Sequence, residues 1–176
     1  MNDAIVAYFF EKRGILMKIL VMSDSHGRRD LVKRCIEKHS DVGIVLHLGD
    51  TVVDIMDMDR IFPDKQIVYV RGNCDYPRKE PLSACVEAEG TRIFLTHGHA
   101  HAVKYGLNVL MSEARKNGAQ IALYGHTHVP YNQYHDGLYV MNPGSLALPR
   151  DSSRASYGLI EICPQGIMTN IVELRQ

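Results

Sequence analysis

Met17-Lys18-Ile19-Leu20-Val21-Met22-Ser23-Asp24-Ser25-His26-Gly27 is the stretch from which the fold follows. A short apolar, β-branched run suits a strand, and it ends abruptly in small and polar residues. Downstream, Arg28 to His39 carries Leu31, Val32, Cys35 and Ile36 at helical spacing. Gly43-Ile44-Val45-Leu46-His47-Leu48 is an apolar run bounded by glycines, as expected of a buried strand. Val53 to Ile61 reads as a weak helix stopped before Pro63, and Gln66 to Val70 as another buried strand. This β-α-β-α-β order predicts a mostly parallel sheet with crossover helices.

Farther along, the rhythm changes. Ala84 to Ala88 and Thr91 to Thr96 read as strands joined by a tight turn at Glu89-Gly90. Leu107 to Lys116 is a helix closed by Asn117-Gly118, and Ile121 to Tyr124 is a strand. Tyr131 to His135 pairs with Leu138 to Met141 across Asp136-Gly137, a strong hairpin signal. Ser156 to Ile162 and Ile167 to Glu173 form a last pair around Pro164-Gln165-Gly166. So many strands imply two sheets flanked by helices, in a domain covering residues 17–176.

Residues 1–16 read as an N-terminal extension. Its apolar part lacks a preceding basic residue, and Glu11-Lys12-Arg13 stands where a secretory signal would have small residues. If ordered, Tyr8, Phe9 and Phe10 need burial against the domain or a neighbouring chain, which makes a homodimer worth testing.

The 176 residues hold 20 Lys+Arg against 20 Asp+Glu, and 45% are hydrophobic, which excludes a disordered chain. Balanced charge offers no long-range field for nucleic acid or an anionic membrane. No apolar run is long enough to cross a bilayer. The four cysteines, with no C-x-x-C pair, fit free thiols in the cytoplasm better than a disulfide scaffold.

Five polar clusters follow, or nearly follow, the predicted strands: Asp24-Ser25-His26, Gly49-Asp50, Gly72-Asn73-Cys74-Asp75, His97-Gly98-His99 and Gly125-His126-Thr127-His128. Binding sites of α/β sheets collect beyond the carboxyl ends of strands, so clusters distant in sequence can converge there. Imidazoles and carboxylates together suit divalent transition metals, and the intervening glycines allow close backbone approach. Each cluster alone is weak; the ordered series is the signal. Of the other histidines, His47 reads as a core residue, His39 as a helix-terminal cation, His101 as a loop residue and His135 as exposed.

In this order of motifs, from about Lys18 to the C-terminus, the chain resembles the calcineurin-like metallophosphoesterase superfamily, in particular its small uncapped bacterial and archaeal phosphodiesterase branch. The resemblance implies a four-layer α-β-β-α sandwich, with two mixed sheets flanked by helices and two divalent metals at one edge. Asp24, His26 and His128 would hold one metal, Asn73, His97 and His126 the other, and Asp50 would bridge them. Manganese is the first expectation, with iron, zinc, nickel or cobalt compatible with the same donors. Two metals roughly 3.5–4 Å apart hold a water deprotonated near neutral pH, and that hydroxide attacks phosphorus in line.

Many members carry His after the Gly-Asn pair, where this chain has Cys74. A thiol is a poor general acid near neutral pH, which implies substrates with good leaving groups or an acid elsewhere, with His99 as candidate. Asp75 has two readings, a carboxylate orienting a ligand or a turn residue before Tyr76-Pro77. The segment Met141 to Ser145 is expected beside the metals, and Arg150 is a candidate phosphate contact. The expected function is hydrolysis of small phosphodiesters. A nuclease is disfavoured by zero net charge, and a non-catalytic scaffold of the same fold by seven metal-competent side chains at seven ligand positions.

Overall fold

The computed structural model describes residues 5–10, 16–75 and 79–174. Two sheets face each other. The first runs β11(Gly166–Glu173), β10(Ser156–Cys163), β2(Met17–Met22), β3(Ile44–His47), β4(Gln66–Tyr69). The second runs β1(Val6–Phe10), β5(Ser83–Ala88), β6(Thr91–Thr96), β7(Ile121–Leu123), β9(Leu138–Asn142), β8(Tyr131–His135).

Alternation along the strands builds three apolar layers. Ile19, Val21, Ile44 and Leu46 face Val86, Ile93, Leu95 and Leu123 between the sheets. Leu20, Met22 and Val45 point outward, where α1(Arg29–Lys38) covers them with Val32, Cys35 and Ile36. Phe94, Ala122 and Val140 point out of the other sheet against Leu110 and Ala114 of α3(Asn108–Lys116). Strands buried on both faces account for the unbroken apolar runs in the sequence. The arrangement is the expected α-β-β-α sandwich.

Strand direction places the site. β2, β3 and β4 are mutually parallel, and so are β6, β7 and β9. The carboxyl ends of these six strands therefore open at one edge of the sandwich, where the polar clusters begin.

Some expectations need correction. Val53 to Ile61 is not one helix: a 3-10 turn, Val52–Asp54, is separated from the one-turn α2(Met58–Ile61) by Asp57, at φ 60°. Within the N-terminal extension, β1 pairs in parallel with β5 and extends the sheet. Tyr8 packs against the intersheet core, Phe9 is 71% exposed in the single chain and is not buried against the domain, and the Phe10 side chain lies outside the described residues. His39 is not a favoured cation: partial burial first, then Lys38, lowers its pKa, and Nε2 meets the Tyr157 hydroxyl at 2.9 Å. His135 is half-buried and its Nε2 lies 2.8 Å from the Tyr131 hydroxyl. Among the described residues, no helix is long and apolar enough to cross a membrane.

Candidate metal centre

Asp24 lies just past β2 and is fully buried. Ser23 Oγ (2.6 Å) and the His126 backbone N–H (3.1 Å) both donate to its Oδ2. Oδ1 has no hydrogen-bond partner, although His128 Nε2 stands 3.1 Å away. Burial alone would raise the Asp24 pKa, yet His128 and His97 hold it below the ordinary carboxylate value. Asp50, just past β3, is lowered in the same way against its burial, chiefly by His97 and by the Cys74 N–H donating to Oδ1 at 2.9 Å.

The histidines are oriented through their outer nitrogens. His97 Nδ1–H donates to the Leu48 carbonyl (2.8 Å) and His128 Nδ1–H to the Leu148 carbonyl (2.6 Å). A carbonyl can only accept, so each ring carries its proton on Nδ1 and presents Nε2 inward, as metal-binding imidazoles do. His97 Nε2 lies 3.4 Å from Asp50 Oδ1 and has no hydrogen-bond partner. His26 Nε2 is 3.3 Å from His128 Nε2 and 3.9 Å from both Asp24 Oδ1 and Asp50 Oδ2.

Asp24, His26, Asp50 and His128 thus each offer a donor atom within 4.8 Å of the others, which brings together the three residues expected at one metal and the carboxylate expected to be shared. On the other flank the rings of His97 and His126 lie 5.1 Å apart, with His99 5.4 Å from His97. Asn73 occupies a short 3-10 turn past β4, and its amide nitrogen donates to Cys74 Sγ at 3.4 Å. Burial, outweighed by Asp50 and Asp24, leaves the His97 pKa raised. Asp24 raises that of His128, while burial and His97 push His126 down to about 4. Two carboxylates that raise the pKa values of His97 and His128 form a cavity that favours positive charge, and two buried donor atoms without partners fit cations there.

The surrounding groups hold this arrangement. Asp75 is buried and accepts four backbone N–H bonds: Asp50 and Gly72 on Oδ2 (2.9 and 2.8 Å), Thr51 and Val52 on Oδ1 (2.9 and 2.8 Å). It therefore fixes the Asp50 loop, and is more than a turn residue. His47 is buried as expected, but it also joins two loops: Nε2 lies 3.1 Å from Ser25 Oγ, and Nδ1 accepts from the Gly49 N–H at 3.3 Å. Reading His47 as core alone missed this; its place two residues before Gly49-Asp50 was the available signal. Ser145 Oγ donates to the Asp24 carbonyl (2.8 Å), and Asn142 donates to the Gly125 carbonyl and Thr127 Oγ1 (both 2.9 Å), which brings the Met141–Ser145 segment to the site. Arg150 is exposed, with its backbone N–H on the His128 carbonyl at 3.2 Å.

Known proteins share this framework. The probable metallophosphoesterase YsnB of Bacillus subtilis is 29% identical over 147 residues, spanning 83% of this chain and 85% of that protein. The phosphodiesterase YfcE of Escherichia coli is 28% identical over 170 residues, spanning 83% of this chain and 88% of that one. The crystal structure of a conserved Streptococcus pneumoniae protein, a predicted phosphoesterase, superposes with a TM-score of 0.79 at 29% identity, over 90% of each chain. Residues 17–165 match the family model of the calcineurin-like phosphoesterase superfamily domain, and the chain belongs to that superfamily.

Proposed function

We propose that the protein hydrolyses small phosphodiesters with two divalent cations, manganese first among them. Asp24, His26 and His128 hold one, Asn73, His97 and His126 the other, and Asp50 serves both. The observation that carries this reading is the pair of buried, partnerless donors, Asp24 Oδ1 and His97 Nε2, 4.0 Å apart in a cavity lined by imidazoles and carboxylates. Cations there would supply Lewis acidity toward phosphoryl oxygens and make water acidic near neutral pH.

The chain's own groups set orientation and proton supply. Leu48 and Leu148 carbonyls fix the tautomers of His97 and His128, and Asp75 fixes the backbone under Asp50. Partial burial and the adjacent Asp50 carboxylate push the Cys74 thiol up to about 11, so it stays protonated and is a weak acid. His99, whose pKa is lowered by burial and by His97, has a buried Nδ1 without a partner and remains the candidate proton carrier. Arg150, exposed and joined to His128 through its backbone N–H, is the candidate phosphate contact. With limited acid assistance, esters of acidic alcohols are the favoured substrates.

Hydrolysis of bis-p-nitrophenyl phosphate with added manganese tests the reading, beside Asp50→Asn. A neutral amide at the shared position should lower turnover at least ~100-fold. Metal-dependent turnover no greater than that of the variant would instead favour a scaffold.

A further inference from the structure

Ser145 lies in the loop that leaves β9, fully buried, and its hydroxyl makes every bond that a hydroxyl can. It donates to the Asp24 carbonyl at 2.8 Å and accepts the N–H groups of Leu148 (2.8 Å) and Ala147 (3.2 Å). A hydroxyl so saturated has neither proton nor lone pair to offer a substrate. The loop itself is braced from β10: the Ser156 N–H donates to the Ser145 carbonyl at 3.1 Å, and Ser156 Oγ to the Pro143 carbonyl at 2.7 Å.

These bonds close a ring. The carbonyl of Leu148, the residue whose N–H Ser145 accepts, receives His128 Nδ1–H at 2.6 Å. His128 Nε2 then faces Asp24 Oδ1 at 3.1 Å, and Asp24 is where the ring began. One hydroxyl thus joins two candidate ligands from different sheets, holding the backbone of Asp24 on one side and the ring orientation of His128 on the other. His97, the other imidazole with a fixed tautomer, stands outside the ring, because its Nδ1–H donates to the Leu48 carbonyl.

We propose that Ser145 is a positioning residue for the cation of Asp24, His26 and His128: its hydroxyl sets Asp24 against His128 and fixes the tautomer in which His128 presents Nε2. The assignment rests on the two-cation reading and adds to it a residue that touches neither cation nor substrate. Without the hydroxyl, one carbonyl and two N–H groups lose their partner in the interior, and Leu148 is no longer held where His128 needs it.

Two measurements on Ser145→Ala test this. In EDTA at about pH 9, nitrogen-15 NMR of the imidazoles should show the His128 proton on Nδ1 in the wild-type chain and a mixture of tautomers in the variant, with His97 unchanged. Calorimetric titration with manganese should show one binding step weakened about ten-fold or more and the other nearly unchanged. Ser156→Ala removes a buried hydroxyl that braces the same loop but bonds no candidate ligand, so it should leave both readouts as in the wild type. Ser145→Cys keeps the bulk with a weaker donor; it should follow Ser145→Ala, and it carries the comparison if that variant does not fold. A His128 tautomer indifferent to Ser145, unchanged manganese affinity in the Ser145 variants, or equal losses in Ser156→Ala overturns the assignment. Failure of bis-p-nitrophenyl phosphate hydrolysis would overturn the phosphodiesterase reading instead, and the tautomer measurement, made without metal or substrate, would still decide the role of Ser145.

Discussion

Asp24, His26, Asp50, His126 and His128 all have positive φ, from 44° to 67°. None is glycine, so each costs about 1 kcal/mol or more, which surrounding bonds must hold in place. The gain is direction: the chain turns sharply enough that residues two apart, His126 and His128, both reach one cavity. Residue type and spacing announced these side chains; the strained backbone did not show in the sequence, because it is imposed by Ser23, Asp75 and the carbonyls around them. His47 illustrates the same limit and supports a prediction. Burial depresses its pKa to about 4, against opposing effects from Asp24, Asp75 and Asp54 and alongside His97. Below pH 6.5 the unfolded chain takes up a proton that the folded chain refuses, so stability falls as pH drops toward 4. A shift of that size is worth roughly 3 kcal/mol. Urea unfolding in EDTA at pH 7.5 and 4.5 should show a smaller loss in His47→Gln than in the wild-type chain by about that amount. Equal losses would mean His47 is not held neutral.

At the scale of elements, periodicity and turn residues were enough for most of the fold. Leu31, Val32, Cys35 and Ile36 are the buried face of α1, and Glu89-Gly90 and Asp136-Gly137 close their hairpins as expected. β1 was not legible, since Ala4 to Phe10 is apolar without alternation, and only the edge of β5 decides that it pairs. The extent of α2 was obscured for a related reason: Asp57 is a poor marker of a break that its left-handed backbone makes plain. What joins strand ends is close approach. A Cβ on Gly125, just past β7, would lie 2.0 Å from Ser23 Oγ and 2.8 Å from Asp24 Oδ2. Both atoms are held by hydrogen bonds, so the ends of β2 and β7 must separate to admit a methyl group. Gly125→Ala should cost about 1–3 kcal/mol. It should also weaken manganese binding about ten-fold or more, since Asp24 would move. Adding Ser23→Ala to that variant removes the closest clash and should recover part of the loss, beyond what the two single changes predict together. Additive effects in a thermal and metal titration would show that the strand ends are not in this contact.

For the whole molecule, the two sheets divide the candidate ligands between them. Asp24, His26, Asp50 and Asn73 follow strands of the five-stranded sheet, and His97, His126 and His128 follow strands of the six-stranded one. Direct bonds across this edge are few and specific, including His97 Nδ1–H to the Leu48 carbonyl and the His126 N–H to Asp24 Oδ2. The zero net charge hides what this edge concentrates, two carboxylates with lowered pKa values facing His97 and His128, whose pKa values are raised. Asp24 and Asp50 raise the pKa of His97 against its burial, and Asp24 raises that of His128, so both carboxylates favour positive charge at this edge. Cations would offset the two carboxylates and would fasten one sheet to the other. Because only the folded chain assembles these donors, free manganese at about one hundred times its Kd should add about 2.7 kcal/mol of stability. For a chain of this length that is a rise in Tm of roughly 5–10 °C, reversed by EDTA. Asp50→Asn, placed where both ligand sets meet, should lose most of the rise while retaining the fold by circular dichroism. A wild-type Tm that ignores manganese, or a full rise in Asp50→Asn, would show that metal does not join the sheets at this edge.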